Sequence, residues 1–267
     1  MQIGAQLYSV RKYTQTLEDF SKTLKTISDI GYRVVQVSGT CAYDPYWLKE
    51  ELEKNNLKCV LTHTAKADQL EGGDESLRKV VEFHKVFGCR NIGIGGMPGS
   101  LAENFEDRWE PFREKYIPIA RRLQEMGAVL NFHNHYLEFQ GKFAEKSVLD
   151  RILEEFPKGS VEFTLDLGWA AYAGEDVVKL IEKYKGLLSR IHLKDYSDNI
   201  PAGIEEKRAY LRPIYEGKLD YDAYIKALAQ AGCEYMLVEQ DSCYGEDEFD
   251  CMRRSYENVV KRFPEVK

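Results

Sequence analysis

The chain has 267 residues, 43% of them hydrophobic, and sets 44 acidic side chains against 37 basic ones for a formal net charge of -7. That length and apolar content bury a substantial core, which excludes a disordered chain. The acidic balance argues against a protein whose main work is to lie along nucleic acid, because phosphate binding needs a concentrated Lys/Arg surface. Six cysteines (Cys41, Cys59, Cys89, Cys233, Cys243, Cys251) without a CxxC pair read as reduced thiols. The start MQIGAQLYSVRKY has no signal-like h-region, and no apolar run approaches the eighteen or so residues of a membrane span. A soluble, cytoplasmic protein without a membrane partner is expected.

In chain order, IGAQLYS (3–9) is the first segment with strand character. Leu17, Phe20, Leu24, Ile27 and Ile30 follow at helical spacing, with Thr16 as N-cap and Gly31 as the stop. A second strand is expected over 32–39, then a helix opened by Asp44-Pro45 and running through Leu52, a third strand over 58–64, and a helix from Leu77 to Phe87 ended by Gly88. The fourth strand is NIGIGG (91–96). The long helical segment Phe105 to Met126 contains Pro111 and Pro118, which should break or kink it. Strands over 128–135, 161–168, 190–195 and 235–241 alternate with helices from Val148, Val177, Tyr221 and Phe249. Eight strand–helix alternations predict a parallel sheet with crossover helices, and in this length a single closed (β/α)8 TIM barrel over 1–267. A doubly wound sheet would favour a glycine fingerprint after the first strand, where this chain has Tyr8-Ser9-Val10-Arg11. The charged segment from Ser197 to Gly217 is long for a βα connection and either covers the site or loops into solvent.

Side chains alternate across a strand, so parity separates inward from outward residues. It places His133 and His135 on the inner face of the fifth strand, Asp166 on the sixth, His192 and Lys194 on the seventh, and Glu239 with Leu237 and Asp241 on the eighth. All sit near C-terminal strand ends, where barrel enzymes assemble their sites. Singly, each is as readily a hydrogen-bonded structural group. Together, His133, Asp166, His192 and Glu239 form a nitrogen-and-carboxylate set suited to one divalent ion: Mn²⁺, Co²⁺, Zn²⁺ or Fe²⁺, and less comfortably Mg²⁺. Gln6, Tyr8, His63, His135 and Trp169 are expected to contact a substrate, and His84, mid-helix, to be a surface or helix-packing residue.

With IGAQLYSVR at the first strand, HNHYLEF at the fifth, TLDLGWAAYAGED at the sixth, IHLKDY at the seventh and GKLDYDAYIKALAQAGCEYMLVEQD around the eighth, the chain resembles the xylose isomerase-like barrel superfamily, in its sugar (phosphate) isomerase/epimerase branch. The resemblance implies one divalent metal held by Glu, Asp, His and Glu from strands five to eight and gripping adjacent oxygens of a sugar. Carried over, Asp166, His192 and Glu239 match. The fifth strand departs, with His133-Asn134-His135 where a glutamate opens the motif in many relatives, so either His133 ligates or Glu138 folds back to supply the carboxylate. The implied activity is isomerisation or epimerisation beside a carbonyl, with Glu239 as base, Glu138 or a histidine as its counterpart, and Lys194 steadying an oxyanion or a substrate group. Elimination from a keto-sugar, keto-glycoside or keto-inositol is the runner-up. An apurinic endonuclease and a non-catalytic sugar-binding barrel complete the alternatives; a homo-oligomer is compatible with any of them.

Overall fold

The computed structural model describes residues 1–96, 105–140, 146–204 and 209–266. Eight parallel strands close a barrel: β1 (Gln2–Gln6), β2 (Val34–Val37), β3 (Lys58–Thr62), β4 (Asn91–Ile94), β5 (Val129–His133), β6 (Val161–Asp166), β7 (Arg190–Leu193) and β10 (Tyr235–Val238). Two further short strands, β8 (Asp195–Ser197) and β9 (Tyr210–Arg212), pair antiparallel above β7. The hydrogen-bonded order around the barrel is β1, β10, β7, β6, β5, β4, β3, β2, so each strand neighbours its predecessor in the (β/α)8 plan. The expected barrel is the observed one.

Local signals explain the outer layer. Thr16 accepts a hydrogen bond from Asp19 N–H, starting the helix Leu17–Ile30, whose Phe20, Leu24 and Ile27 are fully buried. Gly31 ends it at φ 128°, and a Cβ there would lie 2.5 Å from the Tyr256 ring, so both backbone and packing demand glycine. Asp44 caps Pro45–Lys54 through Tyr46 N–H. His84 is buried in the helix Gly73–Val86, with Nε2 2.7 Å from Thr62 Oγ1 and Nδ1 2.7 Å from Val80 O, which makes it a packing residue.

Three expectations about elements are corrected. The segment Leu7–Tyr13 is a 3-10 turn rather than the end of β1, because Gln6 Oε1 accepts from Tyr8 N–H and redirects the chain at the strand's end. Leu167 and Gly168 open the short helix Leu167–Tyr172 rather than closing β6. The prolines do not break Phe105–Glu125: Pro111 and Pro118 are exposed, as are residues 107 and 114, whose carbonyls lose their helical donors to proline and can bond to water instead.

The barrel interior is layered. Val34, Leu61, Tyr235 and Leu237 pack in it, with Arg190 ion-paired to Glu162 at 2.9 Å and donating to Val60 O. Above them, Asn131 donates to Asn91 and accepts from Thr164 Oγ1. A register shift between Val35 and Gln36 pairs Gln36 with Leu61 rather than Val60, keeping Leu61 and His63 in phase with the inner face of β2. Residues 205–208 of the long segment after β7 lie outside the described residues; Ala209 and Leu211, just beyond, border the barrel mouth. Among the described residues no helix is long and apolar enough to cross a membrane.

Candidate metal centre and active-site cleft

The parallel register lifts four side chains to one depth: His192 pairs with Asp166 on one side and Leu237 on the other, so Glu239 follows just beyond the end of β10. One ligand atom each from His133, Asp166, His192 and Glu239 fall within 4.8 Å of one another, and all four residues are buried. A divalent ion bonded at about 2.0–2.2 Å to such donors spaces them at most about 4.4 Å apart, so the cluster is slightly wider than a coordination sphere and small side-chain movements would close it onto an ion.

Each imidazole is oriented by its other nitrogen. His192 Nε2 lies 2.7 Å from Gln36 Oε1, the tautomer that leaves Nδ1 bare toward Glu239 (2.9 Å) and His133 Nε2 (3.1 Å). His133 Nδ1 points at Gly95 O, 3.3 Å away, which directs Nε2 inward, 3.5 Å from Asp166 Oδ2. Outer partners of this kind fix histidine ligands in metal sites. Asp166 is held twice: its Oδ1 caps the helix Leu167–Tyr172 through Trp169 N–H at 2.8 Å, and Asn134 Oδ1 accepts its backbone N–H at 3.0 Å. The middle residue of HNH therefore clamps β5 to β6.

Lys194 enters the same space. Its Nζ lies 2.9 Å from Asp166 Oδ2, 3.0 Å from Glu239 Oε2 and 2.9 Å from Asp241 Oδ2, over the Trp169 ring at 4.9 Å. Gly168 makes room for the lysine backbone, since a Cβ there would meet Lys194 O at 2.2 Å. Burial opposes the ammonium charge, but Asp166 and Asp241 outweigh it and hold Lys194 well above its ordinary value. Burial likewise opposes Asp166 and Glu239 as anions, and Lys194 drives both below the usual carboxylate range. Three carboxylates to one ammonium leave two negative charges in excess. Excess negative charge and two inward imidazole nitrogens facing buried carboxylate oxygens together fit a divalent cation.

The cleft above the cluster has a volume of about 560 Å³ and is lined by Gln6, Tyr8, His63, His135, Trp169 and Asp241, among others. Gln6, Tyr8, His63, His135 and Trp169 thus share one wall system with His133 and Glu239. Burial lowers His135 to about 4, so it is a neutral imidazole there. Glu138 stands apart: its Oε2 accepts the His135 backbone N–H at 2.7 Å within the turn Leu137–Gln140, outside the four-residue cluster. We therefore expect His133→Ala to lose Mn²⁺ on dialysis while Glu138→Ala keeps it, as read by metal analysis after reloading; the opposite pattern would make Glu138 the fifth-strand ligand.

The contacts of Gln36, Asn134 and Asp241 emerge only from the structure. Asp241 was legible by parity, two residues beyond Glu239. Gln36 was not, because it reaches His192 across the barrel from a strand 156 positions away.

A family model described as Xylose isomerase-like TIM barrel matches residues 24–254. The chain is 24% identical over 249 residues to an inosose dehydratase of Erwinia tasmaniensis, covering 83% of this chain and 82% of the relative. Among solved structures, a sugar phosphate isomerase/epimerase from Parabacteroides distasonis superposes with TM-score 0.78 at 18% identity, covering 100% of this chain and 95% of that one. A probable 3-DHS dehydratase from Bacillus anthracis follows with TM-score 0.75 at 14% identity, over 98% of this chain and all of the other.

Proposed function

Because the chain belongs to the xylose isomerase-like TIM barrel family, we propose that it is a divalent-metal-dependent lyase that removes water from a keto-sugar or keto-inositol by proton abstraction beside the carbonyl. The observation that carries this reading is the fifth strand: its residue in the cluster is an imidazole, and its nearest carboxylate, Glu138, is bound to the backbone. Epimerisation with two opposed carboxylates would need a second carboxylate here, and the described residues of this segment bring none into the cluster, whereas elimination needs one base on one face. The likeness to inosose dehydratases supports the same chemistry.

His133, Asp166, His192 and Glu239 would hold the ion, and the mixed nitrogen and carboxylate donors suit Mn²⁺. When bound, the ion supplies Lewis-acid stabilisation to the oxyanion that develops at the carbonyl. Glu239, kept ionised by Lys194, takes the carbon-bound proton. Lys194 adds fixed positive charge beside the growing enolate. Asp241, ion-paired to Lys194 at the cleft wall beside Glu239, relays a proton from solvent to the departing hydroxyl, which leaves as water. Trp169 and His135 form a wall for the ring.

Isomerisation, in which Glu239 returns the proton to the neighbouring carbon on the same face while a second group moves a proton between the two oxygens, is the second reading, favoured by Asp241 standing beside Glu239 on Lys194. Proton NMR in D₂O separates the two. With Mn²⁺-loaded protein and a panel of keto-inositols and keto-sugars, signals of a dehydrated product are expected, a vinylic proton or the deuterated methylene of its diketone tautomer; a rearranged sugar that carries deuterium and has lost no water would establish isomerisation instead. No reaction with any of them would return the barrel to a binding role.

A further inference from the structure

A second cavity of about 760 Å³ opens beside the metal cleft at the same end of the barrel, bounded by the loops after β2 and β3 and by the helix Gly73–Val86. The two share Gly39 and His63 as a common wall. Gly39 contributes no side chain, and a Cβ there would lie 2.8 Å from the Tyr8 ring. His63 is held upright by glycines of the fourth strand and its loop: a Cβ on Gly93 would come within 2.4 Å of its ring, and one on Gly95 within 3.2 Å. Its ring centre lies 5.6 Å from that of His133 and 6.1 Å from that of His192. Its Nε2 is buried without a hydrogen-bond partner, so the boundary between the cavities carries an unsatisfied polar atom.

The cleft and the cavity differ in chemistry. The cleft is rich in charge, as a hydroxylated reacting ring requires. The cavity presents Tyr43, Val80 and Phe83, with Tyr43 and Phe83 ring centres 5.6 Å apart. Its lysines, Lys66 and Lys79, are exposed, and Lys79 pairs with Glu75 at 2.8 Å. Pockets for small molecules run from about 300 to 1,000 Å³, so either space alone holds a ring.

We infer that the cavity is a second subsite of the same active site, taking a neutral second ring joined through oxygen to the ring that reacts in the cleft, with His63 bonding the bridging oxygen. The substrate is then a keto-glycoside rather than a free monocyclic keto-sugar. The inference rests on the reaction proposed above for its activity test and is separable from it by binding.

The test compares Mn²⁺-loaded wild type with Ala42→Trp, which fills the cavity from an exposed lining position, and with Ala65→Phe as a second filling variant. Unfolding temperature verifies that each folds. Substrates are a methyl and a phenyl keto-glucoside. Wild type should favour the phenyl compound in kcat/KM by at least about tenfold, since remote binding is converted into rate. The filled variants should bring the ratio near one while keeping the methyl compound within about twofold of wild type. A wild-type ratio near one, or a preference that survives filling, overturns the subsite. If neither ketoside reacts, the proposed reaction fails and the subsite is decided by ligand-observed NMR with unreactive phenyl and methyl glucosides, under the same criteria. An equal gain from a phosphorylated methyl ketoside, lost in Lys66→Ala, would make the occupant an anion and also overturn the assignment.

Discussion

Asp166→Asn is expected to leave the protein folded but without tight metal, its affinity for Mn²⁺ falling by about 100-fold or more. The asparagine oxygen still accepts Trp169 N–H, so the cap on Leu167–Tyr172 survives. The other side-chain atom changes from a carboxylate oxygen facing His133 and Lys194 into an amide donor. That position then offers no ligand and removes one negative charge from the cluster. His192→Ala should have the same outcome by deleting the nitrogen that Gln36 orients. His84→Ala is the control, because both of its nitrogens are engaged by Thr62 and Val80 and it lies outside the cluster. Metal analysis after dialysis and reloading reads all three; stoichiometric metal in Asp166→Asn or His192→Ala would remove that residue from the ligand set.

Lys194→Met should destabilise the chelator-treated protein strongly. Methionine retains much of the apolar stem against Trp169 but withdraws the charge that faces Asp166, Glu239 and Asp241. Removing one partner of a buried ion pair costs about 3–5 kcal/mol, which in a chain of this size lowers the unfolding temperature by roughly 10 °C. A divalent ion should return part of that loss, because it supplies positive charge to the same oxygens. Calorimetric scans with and without Mn²⁺ measure both effects. A fall of less than about 2 °C without metal would mean that the lysine does not neutralise the cluster.

These two substitutions also mark how far the sequence could be read. The helix Leu17–Ile30 was legible to its ends because its cap, apolar period and terminal glycine are all local. The four-residue cluster was legible for a related reason: parallel strands of period two carry residues of one parity to one face, so the meeting of His133, Asp166, His192 and Glu239 followed from counting along β5, β6, β7 and β10.

Where two signals competed, local reading failed. Leu7-Tyr8-Ser9 has strand composition, yet a side-chain cap from Gln6 turns it. Pro111 and Pro118 announce a break that exposure on the solvent face renders unnecessary.

By itself, then, the sequence determined the alternation of elements, the barrel and which side chains face its axis, because those depend on periodicity and caps within a few residues. Only the tertiary structure decided what each inward group does: that Lys194 joins three carboxylates, that Gln36 sets the tautomer of His192, that Asn134 clamps Asp166 while Glu138 turns to the backbone, and that His63 stands between two cavities. Those roles arise from distances between residues far apart in the chain, set by barrel closure and strand register, and no local period encodes them.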